Sequence, residues 1–215
     1  MKRKGKNEVK YLTAGERKDF MEAVKQAGNT RDIVVYELLF KTGLRISELT
    51  GLNIEKVSGK RFLSIRGKGD KLRTIPLTED IRDLLEGFIT WKQGHGESIH
   101  PRTPLFLNKH GKRISPRGLR DRTYFYCKKA GLEREFSPHA FRHTCGFTLG
   151  KNLIPIQVIQ KILGHSNINT TRIYTEPDIE QVEQALYTLR EPSRELPKID
   201  ILGSNRVKTL IGQAV

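Results

Sequence analysis

Six side chains in this sequence have types and spacings that could do chemistry: Arg45, Lys68, His139, Arg142, His165 and Tyr174. Arg45 stands in Thr42-Gly43-Leu44-Arg45-Ile46-Ser47-Glu48-Leu49, and Lys68 stands between Gly67 and Gly69. His139 and Arg142 belong to His139-Ala140-Phe141-Arg142, a spacing that puts both on one helix face. His165 follows Leu163-Gly164, and Tyr174 comes shortly after it. Two arginines suit an anion with several oxygens, because each planar fork donates paired hydrogen bonds to a phosphate. Ser137-Pro138 is a helix start, so His139 falls in a first turn where free backbone N–H groups and the positive dipole end favour the same anion. A tyrosine with its ordinary pKa of about 10 holds little phenolate at neutral pH. It becomes a nucleophile only beside cations and a proton acceptor. The chemistry these residues could do together is attack of a phenol oxygen on a phosphodiester. Preorganised positive charge would be the largest catalytic contribution.

Each residue also has an ordinary reading. Arg45 could be a surface ion-pair partner, Lys68 a solvated hairpin lysine, His139 and Arg142 a helix-start histidine and a salt-bridging arginine, and His165 a contact at a helix end. Tyr174 competes with Tyr11, Tyr36, Tyr124, Tyr126 and Tyr187. Tyr36 lies in an apolar helix and reads as core, while Tyr124 and Tyr126 read as packing or DNA-facing. His143 points about 100° from Arg142 around the helix and reads as structural. The glycines around Lys68 are not followed by a strand-to-helix dinucleotide unit.

Composition narrows the partner. Lys and Arg total 39 against 24 Asp and Glu, a net charge of +15, and the sequence pI is near 9.9. A surface of this sign favours nucleic acid. The most apolar run, Ile33 to Phe40, contains Glu37 and is far short of a membrane span. Met1-Lys2-Arg3-Lys4 has the charge of a signal peptide with no apolar region behind it. Cys127 and Cys145 make no disulfide framework and fit a reducing compartment as inert buried thiols. No Cys/His group has zinc spacing.

The elements that must position these residues are legible from periodicity and caps. Residues 1–10 form a basic arm or linker. Thr13 and Glu16 have capping-box spacing ahead of a helix to about Gln26. A second helix runs from Thr30 to a C-terminal cap at Gly43. Residues 61–66 and 72–77 alternate as paired strands around the turn 67–71, with Arg73, Ile75 and Leu77 in one register. Thr78 caps a helix through Phe88, and residues 92–104 read as a loop. Ser115-Pro116 opens a helix ending at Gly131, and Ser137-Pro138 opens one to about Leu149. Ile156 to Leu163 is an amphipathic helix ended by Gly164, and residues 178–190 read as a further helix. The expected fold is mainly α with a small antiparallel β-sheet.

In this order the motifs resemble the catalytic domain of tyrosine recombinases, the phage integrase family, over roughly residues 11–190. The resemblance implies that fold and a site-specific DNA recombinase. Tyr174 would be the nucleophile that forms a 3′-phosphotyrosyl bond and frees a 5′-hydroxyl. Lys68 would protonate the leaving oxygen, with Lys71 its rival in the same loop. His139 would handle protons, His165 would hydrogen-bond the scissile phosphate, and Glu48 would orient a basic residue or His139. The exchange conserves bond energy, so neither metal, ATP nor another cofactor is expected. A type IB topoisomerase-like relaxase and a catalytically silent DNA-binding module are the alternatives.

The expected partner is double-stranded DNA, held by a homo-oligomer, a tetramer on DNA, with accessory DNA-bending factors left open. No membrane association is expected. The setting is cytoplasmic, in a prokaryote, phage, plasmid or mobile element. Lys71, Arg73, Lys112, Arg113, Arg117 and Arg120 are expected to contact DNA, chiefly its backbone, giving affinity and salt dependence rather than sequence choice. An N-terminal DNA-clamping domain, usual in the family, is expected to be missing, which would weaken affinity. The segment 191–215 is expected to dock on a neighbouring protomer.

Overall fold

In the computed structural model the described residues are 11–66, 72–134 and 136–164. The readings made for the arm 1–10, the turn with Lys68 and Lys71, His165, Tyr174, the helix at 178–190 and the tail lie outside them. No helix among the described residues is long and apolar enough to cross a membrane.

Helix α1 (Ala14–Gln26) begins at a complete capping box. Thr13 Oγ1 accepts from the Glu16 amide at 3.3 Å, and Glu16 Oε2 accepts from the Thr13 amide at 2.8 Å. Helix α2 (Thr30–Thr42) starts at Asn29, whose side chain accepts from the Asp32 amide, and stops at Gly43 in the left-handed conformation. Helix α2 is the central element. Val34, Val35, Tyr36, Leu38, Leu39 and Phe40 are buried in it, and α1, α4 (Glu79–Gly94) and α6 (Pro138–Lys151) pack around it. An aromatic cluster of Phe20, Tyr36, Phe40, Tyr126 and Phe141 fills the centre, several rings meeting edge to face. Full burial of each such side chain contributes about 1.5–3 kcal/mol.

A two-stranded antiparallel sheet, β1 (Phe62–Arg66) and β2 (Leu72–Pro76), lies to one side. Leu63 pairs with Ile75 and Ile65 with Arg73, so Leu63, Ile65, Arg73 and Ile75 share one face. The three apolar residues of that face are buried. Helix α5 (Pro116–Lys129) opens on Ser115, whose hydroxyl accepts from the Gly118 amide at 3.0 Å. Helix α7 (Ile156–Leu163) packs on β2 and α6 and closes at Gly164, again left-handed. A second apolar cluster of Cys145, Ile159 and Leu163 joins α6 to α7.

Three features depart from expectation. Helix α4 runs on to Gly94, because Lys92 is drawn wholly inside, its ammonium paired with Glu97 and lying over the Phe88 ring. Helix α3 (Ile46–Thr50) and a 3-10 turn at Ile54–Lys56 are too short to leave a periodic signature. The polar loop that follows α4 is pinned by two isolated bridges, Asn53 to Pro104 and Leu107 to Arg113. The expected strands, the Ser-Pro helix starts and the glycine stops are all present. Both cysteines are free and buried.

Candidate active site

The site grows from the ends of three helices. Helix α2 stops at Gly43, so the chain turns into Leu44 and Arg45 before α3 begins. A Cβ at position 43 would come 2.5 Å from Leu163 Cδ2, so glycine allows this turn to lie directly against α7. The last carbonyls of a helix lack internal partners and carry the negative dipole end. Arg142, only 4% exposed on α6, supplies the missing donors. Its Nη1 donates to Gly43 O at 2.8 Å and its Nη2 to Leu163 O. Arg45 reaches the same helix end, its Nη2 3.4 Å from Gly164 O. Two arginines far apart in sequence therefore meet at the end of α7, on the carbonyls of Leu163 and Gly164.

Glu48 sets the direction of Arg45. Its Oε2 accepts from the Arg45 amide at 2.7 Å, and its Oε1 accepts from Arg45 Nη1 at 2.9 Å. Arg73 grips the same carboxylate from β2, with Nη1 2.7 Å from Oε1 and Nη2 2.7 Å from Oε2. Burial alone would raise the Glu48 pKa. The hydrogen bonds from Arg73 and the Arg45 amide, then the charge of Arg73 and the hydrogen bond from the Arg45 side chain, overcome that and hold it at about 2. Glu48 is thus an anion throughout the working range of a protein.

His139 lies one turn before Arg142 in the first turn of α6. The Ser137 side chain makes no capping hydrogen bond there, unlike Ser115 on α5. Partial burial, then the positive charges of Arg142, Arg45 and Arg120, lower the His139 pKa below the ordinary histidine value. A neutral imidazole at pH 7 can accept a proton. His143 is lowered as well, by burial, His139 and Arg142.

Among the other expected contacts, Lys112, Arg117 and Arg120 are exposed around the start of α5. Arg120 is near enough to act on His139, which the sequence did not reveal. Two of the residues expected to contact DNA, Arg73 and Arg113, have partners within the protein. The Arg73 side chain is 9% exposed and faces Glu48. Arg113 donates from Nη1 to Thr50 O and Leu52 O, and from Nη2 to Asn53 Oδ1, tying α5's leading loop to the end of α3. The signal for Arg73 was its register, a cation in the inward row with Ile75. No comparable signal marked Arg113. Tyr36 and Tyr126 are core tyrosines, with hydroxyls on Thr123 and Asp32. Among the described residues no His, Cys, Asp and Glu group could hold a metal ion.

This fold, with two arginines and a histidine gathered at the end of α7, belongs to a known class. Residues 10–181 match the phage integrase family, and the chain belongs to that family. It is 34% identical over 179 residues to tyrosine recombinase XerC of Thermodesulfovibrio yellowstonii, a match covering 80% of this chain and 60% of the relative. It is 36% identical over 168 residues to XerC of Myxococcus xanthus, covering 76% of this chain and 56% of the relative. The chain therefore spans less than two thirds of either relative. Among solved structures, XerA recombinase superposes with a TM-score of 0.69 at 28% identity, covering 85% of this chain and 66% of that one. XerH recombinase bound to its difH substrate gives 0.66 at 26% identity, covering 82% and 53%.

Proposed function

We propose that this chain is the catalytic part of a site-specific DNA recombinase that cuts and rejoins duplex DNA through Tyr174. One observation carries the reading: Arg45 and Arg142 converge on the α7 terminus, directly before His165. The positive charge of two guanidiniums there can hold an anionic phosphodiester and stabilise the extra charge of its pentavalent transition state. His139, kept neutral, accepts a proton beside them. By family likeness, Tyr174 forms the 3′-phosphotyrosyl bond as the 5′-oxygen leaves, Lys68 protonates that oxygen, and His165 binds the phosphate. Rejoining is the reverse step with a 5′-hydroxyl from the partner strand. The relatives named above are recombinases, which favours strand exchange over simple relaxation.

Exposed Lys112, Arg117 and Arg120 support DNA binding at the start of α5. Assembly as a tetramer on DNA, exchange of the C-terminal segment between protomers, and a cytoplasmic setting in a prokaryote or mobile element complete the proposal. A nicked suicide duplex tests it, because loss of a short fragment traps the covalent adduct. Adduct formed by the wild-type chain and insensitive to EDTA is the expected result. Loss of the adduct on chelation would contradict charge stabilisation by arginines alone.

A further inference from the structure

Arg73 occupies a place that a DNA-contacting cation does not need. It sits in the inward register of β2, opposite Ile65 and beside Ile75, both buried. Both of its terminal nitrogens are spent on Glu48, in a fork that fixes the plane of the carboxylate as well as its position. Glu48 in turn holds Arg45 by backbone amide and side chain. The contact of Arg45 with Gly164 O is long by comparison, so Glu48 does most of the orienting.

The stem of Arg73 also lies against the end of α7. A Cβ at Gly164 would come 2.6 Å from Arg73 Cδ and 3.1 Å from its Nε, and Gly164 has a φ of +64°. Only glycine accepts both the close approach and the backbone conformation. The Arg73 Nε is buried and has no hydrogen-bond partner among the described residues. Such a group persists where the surrounding geometry is held for another reason.

We propose that Arg73 is a positioning residue for strand cleavage: it fixes Glu48, through which Arg45 is presented to the scissile phosphate, and it seats that unit against Gly164. The inference rests on the recombinase reading above. It makes Arg73 act through Glu48 and Arg45, without touching DNA. The charged groups facing Glu48 among the described residues are Arg45 from its own helix start and Arg73 from β2. Without Arg73, burial continues to push the carboxyl up while its strongest opposing partner is gone.

The test is single-turnover cleavage of the nicked suicide duplex by the full chain, with the maximal rate and the half-saturating protein concentration read separately across the acid range. For Arg73→Gln the maximal rate should fall about 10–100-fold, the scale on which partners of site residues act in metal centres. Half-saturation should stay unchanged. The acid limb of the rate should move to higher pH as Glu48 becomes protonated more readily. Arg73→Lys, which keeps the charge and loses the fork, should restore the limb but only part of the rate. Arg73→Gln combined with Glu48→Gln should be no slower than the slower single variant.

Loss of affinity with the maximal rate intact would mean a phosphate contact. A lower melting temperature with the rate per folded molecule intact would mean a structural tie. Either result overturns the inference. Should Arg73→Gln not fold, the Arg73→Lys limb and rate decide the matter. A wild-type chain that forms no adduct overturns the recombinase reading itself, and this inference with it.

Discussion

Two carboxylates in this protein are each gripped by two arginines, and they are put to different use. Asp32, wholly buried in the first turn of α2, accepts from Arg31 on one oxygen and from Arg122 and the Tyr126 hydroxyl on the other. Arg31 also donates to Leu107 O. That cluster bolts α2 to α5 and to the loop ahead of it. Glu48 is nearly as buried, but one of its arginines, Arg45, is 31% exposed and stands beside His139. The first cluster directs its donors to Asp32, the Tyr126 hydroxyl and a backbone carbonyl, although Arg122 is 35% exposed. The second reaches the carbonyl of Gly164, the cap of α7, and presents a cation outward. Similar pairing chemistry is a staple in one place and a holder for a reagent in the other. What separates them is the company the exposed arginine keeps: Arg45 stands near His139 and Arg142, Arg122 against Tyr126 and Phe125.

The contrast can be broken experimentally. The largest effect on chemistry is expected for Arg45→Ala or Arg142→Ala, where loss of a transition-state donor slows cleavage about 10²–10³-fold or more. Rapid-quench measurement of adduct formation reads this, and a loss confined to affinity would argue against the assignment. Asp32→Ala should act on stability instead. It leaves Arg31 and Arg122 without their carboxylate; because both are partly exposed, the cost in urea unfolding should be about 1–3 kcal/mol, below that of a fully buried pair. The folded fraction should cleave normally. If Asp32→Ala instead slowed cleavage by folded protein, the two clusters would not be separable.

A smaller effect is expected in the pH profile. His139 must be neutral to accept a proton, and its pKa is lowered, so the acid limb due to it should lie below the ordinary histidine range. Arg120→Ala removes one of the charges responsible, so that limb should move up in pH. A downward movement would show that Arg120 does not act on His139. The smallest effect is expected at the exposed rim: Lys112→Ala should weaken DNA binding and reduce the slope of log affinity against log salt by about one. A rate loss with the salt slope unchanged would move Lys112 into the site.

The sequence made local structure readable because local structure has local causes. Thr13 with Glu16, Asn29 before α2, Pro116 and Pro138 at helix starts, and glycine at 43 and 164 each satisfy or end a helix within a few residues. The inward row of the sheet was legible for the same reason. Arg45, Glu48, His139 and Arg142 could be named from their motifs, and Glu48 could be expected to orient a basic residue. Its pairing with Arg73, and the donation of Arg142 to two helix ends, are tertiary facts that no short window contains. Charge alone marks Arg73 and Arg113 as DNA contacts, and it does not reveal that one grips a carboxylate and the other backbone carbonyls. Basic side chains in a basic protein look alike until their partners are seen.

The most direct measurement of the central claim is to trap the adduct on a nicked suicide duplex and locate the modified residue by peptide mass mapping. A 3′-phosphotyrosyl link at Tyr174, lost in Tyr174→Phe while DNA binding remains, is the predicted result. An adduct at another residue, or cleavage that survives Tyr174→Phe, would contradict the account.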